Sequence, residues 1–140
     1  MNNFFKIILK YLILFCIGGC CYYGLECLWR GFSHWTMALL GGICYVIIGG
    51  LNEFFTYEMP LWKQCLIGSI VITILEFICG CIVNLWLGWD VWHYEYLDVL
   101  GQICLPFSLL WFVISGAVII TDDYLRYWLF GEEKPHYKLK

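Results

Sequence analysis

Apolar residues dominate four stretches of the chain, at about 4–28, 36–55, 61–87 and 101–121, and polar residues gather between them. The first stretch is interrupted only by Lys6 and Lys10. The second and third are separated by Thr56-Tyr57-Glu58-Met59-Pro60, where proline stops a helix from continuing. The third and fourth are separated by Gly88 to Leu100, with Asp90, Glu95 and Asp98. Each stretch is close to the ~20 apolar residues that carry a helix across ~30 Å of hydrocarbon. The runs are too long and too little alternating for barrel strands, and open strands cannot face lipid. The pattern predicts an all-α fold: an integral membrane four-helix bundle over 1–121, followed by a cytoplasmic tail over 122–140. Pro106 should kink the fourth helix or mark its first turn.

Composition sharpens this. Of 140 residues, 62% are hydrophobic and 14% charged, and the mean hydropathy is +0.77. A soluble domain of this size cannot bury that much apolar surface, and a disordered chain would be polar and poor in aromatics. A net charge of −3 without a basic arm argues against nucleic acid as a partner. Lysine and arginine fall unevenly. With four spans, Lys6, Lys10, Lys63, Arg126, Lys134, Lys138 and Lys140 share one side and Arg30 alone occupies the other. The positive-inside rule then puts both termini in the cytoplasm and loops 29–35 and 88–100 outside, as in a multi-pass protein of the cell membrane. Most tryptophans sit near the expected helix ends, where amphipathic rings anchor at headgroup level. Trp111 falls mid-helix and reads as a packing residue.

Two features look like other chemistry and are better explained by lipid. Lys6 and Lys10 before an apolar run, then Ile17-Gly18-Gly19-Cys20, resemble a signal peptide with a lipobox, but the run continues through Tyr22, Tyr23 and Leu25 as a retained span does. The nine cysteines lie mostly in apolar runs, where cysteine behaves as a small hydrophobe, and an odd count cannot all pair internally.

The informative residues are the polar ones inside the spans. On the third helix Ser69, Thr73, Glu76, Gly80 and Asn84 recur at the period of one helix face. Glu76 lies about 22 Å of helix rise from the start of that span. A charged carboxylate there costs on the order of 3 kcal/mol even on insertion scales, so it must face protein, water or a partner, or hold a proton. On the second helix Ala38, Gly42, Tyr45, Gly49 and Asn52 form a second stripe, with Glu53 adjoining, and its small residues permit close approach of a neighbouring backbone. The two stripes are expected to meet, so that Tyr45, Asn52, Glu53, Thr73, Glu76 and Asn84, with Gln102 at the start of the fourth helix, line one polar path. Packing is the plainer alternative, since Asn, Ser and Thr often only bond across helices. Glu53 lies near a helix end and can simply reach the interface.

Outside the membrane, Arg30, His34 and Trp35 precede the second helix, and Asp90, Trp92, His93, Tyr94, Glu95 and Asp98 precede the fourth. Arg30, pairing with Asp90 or Glu26, together with His34 and Trp92, is expected to clamp the two loops, with a substrate mouth as the alternative. No spaced His or Cys pair supports a metal site. No nucleophile elbow, phosphate loop or HExxH motif is present, so no enzyme activity and no cofactor are expected.

Several strings taken together carry a resemblance: Leu28-Trp29-Arg30-Gly31, Ser33-His34-Trp35-Thr36-Met37, Gly49-Gly50-Leu51-Asn52-Glu53, Leu75-Glu76-Phe77 with Gly80 and Asn84, Trp89-Asp90-Val91-Trp92, and Gly101-Gln102-Ile103-Cys104-Leu105. Over about residues 22 to 116 the chain resembles the ABC-transporter permease family of the CmpB type, small multi-helix proteins of bacterial membranes. The resemblance implies a transport component and no catalytic residues. A substantial cytoplasmic coupling helix, which such a permease should show, has no room in the short 2–3 loop. The expected partners are the lipid bilayer and either further copies of the chain or other membrane and ATPase subunits. A small homo-oligomeric, holin-like pore and a non-transporting adaptor or sensor are the competing classes.

Overall fold

The computed structural model describes residues 2–52 and 59–137. Among them the helices are α1 (Asn3–Arg30), α2 (Trp35–Gly49), α3 (Leu61–Gly80) and α4 (Leu105–Phe130). A π-helical turn, Cys81–Trp86, prolongs α3, and two short strands, β1 (Asp98–Val99) and β2 (Ile103–Cys104), precede α4. α1, α3 with its π turn, and α4 are long and apolar enough to cross a membrane, whereas α2 has 15 residues. Glu53 and the break at 56–58 lie outside the described residues.

Local chemistry sets the helix ends. The Asn2 side chain accepts the Phe4 N–H at 3.1 Å to open α1, and Gly31, at φ 82°, closes it. The His34 ring nitrogen Nδ1 accepts the Thr36 N–H at 3.2 Å to open α2. Pro106 falls in the first turn of α4, where its missing N–H is not needed.

α4 departs from expectation at both ends. It starts at Leu105 rather than near 101, because Gly101 (φ 74°) and Gln102 belong to a hairpin turn. It runs to Phe130 rather than 121, so the expected tail begins as helix. Trp111, Ser115, Ile119, Asp122 and Arg126, spaced 4, 4, 3 and 4, are all buried, so one helix face continues past the apolar run. No glycine or proline intervenes until Gly131 (φ 66°), where the Glu132 N–H turns back to the Arg126 carbonyl at 3.2 Å.

Burial along the helices is inside-out relative to a soluble protein. On α3 and its π turn Leu66, Ile70, Ile74, Ile78 and Ile82 are exposed at every fourth position, while Gln64, Ser69 and Glu76 are buried. On α4 Leu105, Leu109 and Val113 are exposed, while Ser115, Asp122, Asp123 and Arg126 are buried. In water such faces would be reversed; in lipid, apolar side chains face outward and polar groups find partners inside.

The described residues form two compact units, one of 2–52 with 118–136 and the other of 59–117 with 137. In the first, α1 and α2 pack through glycines. A Cβ at Gly18 would overlap the Tyr45 side chain, and one at Gly19 would sit 2.6 Å from the Ala38 carbonyl oxygen. From the other side, Gly41 and Gly42 receive Tyr22 and Phe15. Small residues let the backbones approach, as membrane helix pairs require. Gly19→Val should therefore lower stability by about 1–3 kcal/mol through overpacking, read as a fall in the thermal midpoint in detergent, whereas Gly24→Ala, at a position open to 4 Å, should leave it unchanged.

Candidate functional site

Glu76 lies in the second unit and is 2% exposed. Each of its carboxylate oxygens accepts a hydrogen bond. The Tyr94 hydroxyl donates to Oε2 at 3.1 Å, and Trp111 Nε1 donates to Oε1 at 3.5 Å. The two donors come from different elements, Tyr94 from the segment after α3 and Trp111 from α4. Phe107 stacks between their rings, with centroids 5.1 Å from Tyr94 and 5.9 Å from Trp111. Trp111 is buried, as a packing residue should be, and its ring N–H also reaches the carboxylate at the long end of hydrogen-bond distance.

The rest of the α3 stripe is bonded to the same elements. Ser69 Oγ donates to the Ser108 carbonyl at 2.6 Å, and the Thr73 hydroxyl lies 2.9 Å from Ser108 Oγ. Asn84 Oδ1 accepts the Val91 N–H at 2.6 Å, and Asn84 Nδ2 donates to Gln102 Oε1 at 2.7 Å. Gln102, 1% exposed, also donates to the Leu100 carbonyl at 2.8 Å, and its own carbonyl accepts Trp92 Nε1 at 2.9 Å. At Gly80 the absent side chain makes room for Gln102 and Trp92, the Gln102 Oε1 lying 2.6 Å from where a Cβ would stand. The π turn widens the helix just where Asn84 must keep facing these partners.

The segment after α3 is a folded strap. β1 and β2 pair antiparallel, Asp98 with Cys104 and Val99 with Ile103. The Gln102 N–H reaches the Val99 carbonyl at 3.0 Å across Leu100 and Gly101, both left-handed (φ 54° and 74°). Asp98 Oδ2 accepts the Gly101 N–H at 2.7 Å. Leu97 (φ 48°) and Asp90 (φ 49°) are left-handed too. A leucine costs about 1–2 kcal/mol there, where glycine or asparagine is usual. Such strain persists where surrounding contacts over-determine the backbone.

A second polar cluster, which the sequence reading missed, lies in the first unit. Arg126 Nε donates to Asp122 Oδ2 at 2.7 Å, with the two side chains 2% and 0% exposed. Asp122 occupies the space left by Gly49, and the guanidinium stands 5.4 Å from the Tyr11 ring centroid. Asn52 Nδ2 donates to Asp123 Oδ2 at 2.6 Å, and the Tyr45 and Thr121 hydroxyls are 3.3 Å apart. Lys10 pairs with Glu132 at 3.1 Å. The helical period from Trp111 through Arg126 was the signal available for it.

The residues expected to line one path make these bonds within their own units. Tyr45 and Asn52 bond to Thr121 and Asp123 of α4, while Thr73, Glu76, Asn84 and Gln102 bond among α3, the strap and the start of α4. The small residues of α2 serve the packing with α1. Glu53 lies outside the described residues. The four clamp residues also take separate tasks. Arg30 meets Glu26 at 3.7 Å and covers the Phe32 ring at 4.4 Å, His34 caps α2, and Trp92 is buried against Gln102. Asp90 is exposed. All nine cysteines are free, and among the described residues no group of three His, Cys, Asp or Glu is placed to hold a metal ion.

Among the described residues three helices are long and apolar enough to cross a membrane, and their outward apolar faces and the buried Glu76 carboxylate are compatible with a helical membrane protein. Comparison with family models, with curated proteins and with solved structures finds no match to this chain.

Proposed function

We propose that the chain is a permease-like transport component of the cell membrane, working as an oligomer or with partner subunits, with Glu76 as its proton- or cation-binding group. The observation that carries this reading is the carboxylate itself. It lies well inside a span, is 2% exposed, and accepts hydrogen bonds from Tyr94 and Trp111. A carboxylate in an apolar span is costly, and such residues mark ion paths, proton relays and ligand counter-ions. Tyr94 belongs to the strap, so binding of a proton or cation at Glu76 would compete with the bond that ties the strap down. The resemblance to CmpB-type permeases supports transport, and the lysine and arginine distribution supports cytoplasmic termini.

A non-transporting adaptor is the second reading, favoured by the bonds that Ser69, Thr73 and Asn84 make inside their own unit. Vesicles separate the two. The purified protein, reconstituted with any subunits that co-purify in mild detergent, should carry protons or monovalent cations, and Glu76→Gln should reduce that flux at least tenfold. Equal flux in both proteins would remove Glu76 from the path, and absence of flux from folded wild type with its subunits would favour the adaptor.

A further inference from the structure

The strap after α3 does not stand off the end of the span. Its contacts descend along α3 in order: Val91 at Asn84, Trp92 at Gly80, Tyr94 at Glu76. α4 runs antiparallel to α3, with Cys65 against Gly116 and Ser108 against Ser69 and Thr73. Carried on at the same register, that pairing starts α4 near the level of Glu76. Residues 77–86 then extend about 15 Å beyond the start of α4. The hairpin fills that length, bonded to α3 on one face by Asn84 and Gln102.

Its other face is apolar and uncovered. Tyr96, Leu97, Val99 and Leu100 are 71%, 57%, 52% and 65% exposed. Exposed Asp98 lies between Leu97 and Val99, and Trp86 at the end of the π turn and Leu105 at the start of α4 are exposed as well. Those two belong to the helices that meet lipid, so the hairpin prolongs the lipid-facing surface. Leu97 and Leu100 hold left-handed backbone positions that glycine or asparagine would fill more easily, and both put leucine outward. Non-helical backbone at membrane depth is tolerated where protein covers its polar groups, and here paired strands, Asn84, Gln102 and the Asp98 cap do so. The exposed acids Asp90 and Glu95 limit the depth, since they need the headgroup region.

We infer that residues 91–104 form a re-entrant hairpin at the boundary of headgroups and hydrocarbon, with Leu97, Val99 and Leu100 in contact with the acyl chains of the bilayer. The inference rests on α3 crossing the membrane and not on what the chain transports. The full-length protein, carrying p-benzoylphenylalanine in place of Leu100 or, in a second protein, Leu97, is reconstituted in phosphatidylcholine vesicles with tritiated acyl chains and irradiated. The same label in place of exposed Glu133 is the reference. Acyl-chain adducts at least tenfold above that reference at either leucine are expected. Adducts at the reference level, adducts confined to the headgroup, or cross-links to a second copy of the chain would each overturn the inference. The Leu97 protein serves should the Leu100 protein fail to fold.

Discussion

Arg126→Met should be among the most damaging single substitutions in the chain, lowering stability by about 3–5 kcal/mol. The guanidinium holds Asp122 at 2.7 Å, with the two side chains 2% and 0% exposed. Removing it leaves a buried carboxylate, packed into the gap at Gly49, without its cation. The pair is costly to break rather than strong in itself, because bringing both ions out of water offsets most of their attraction. Asp122→Ala combined with Arg126→Met should therefore be less destabilised than Arg126→Met alone. Thermal midpoints of the three proteins in one detergent check this. A double variant that loses the sum of the two single losses would mean that Arg126 acts through other contacts.

The second large effect is expected at Gln102. Its side chain joins Asn84 on the π turn to the Leu100 carbonyl in the hairpin, and it is 1% exposed. Gln102→Leu keeps comparable bulk against Gly80 and Trp92 but leaves an amide donor and a carbonyl without their partner. An unmade buried hydrogen bond costs about 1–3 kcal/mol, so two lost together should cost about 2–6 kcal/mol. Hydrogen exchange should locate the damage in 91–104, because the Val91 and Tyr94 N–H groups are held within the strap. Exchange rising only in α1 and α2 would contradict the role given to Gln102.

The helices were legible from hydropathy, three of them as apolar runs of the ~20 residues that suffice to cross a bilayer, whereas α2 is shorter. The third-helix stripe was legible too, since Ser69, Thr73, Glu76, Gly80 and Asn84 keep the helical period whatever they face. What they face was not legible. Periodicity names a side of one helix and says nothing about which neighbour covers it, so the bonds the stripe makes within its own unit, to Ser108, Trp111 and the strap, could not be read from it. The hairpin in the strap was not legible either, since Asp90, Glu95 and Asp98 read as a polar loop, whereas Asp98 spends its carboxylate on the Gly101 N–H. The end of α4 was misplaced for a similar reason. Asp122, Asp123 and Arg126 looked like a charged tail, but their spacing continues the buried face of Trp111, Ser115 and Ile119. Charge marked a boundary by composition, and helical period would have carried the element through it.

The account turns on the contact between the strap and the carboxylate, and a double-mutant cycle tests it most directly. Tyr94→Phe, Glu76→Gln and the pair are made in the full-length chain, and their stabilities are compared in one detergent. Residues that share a hydrogen bond couple by about 0.5–3 kcal/mol, while independent sites add to within about 0.3–0.5 kcal/mol. Coupling of at least ~0.5 kcal/mol is expected, with Tyr94→Phe costing less once Glu76 is already glutamine. Losses that simply add would mean that Tyr94 does not hold Glu76, and the carboxylate would have to be placed on some other footing.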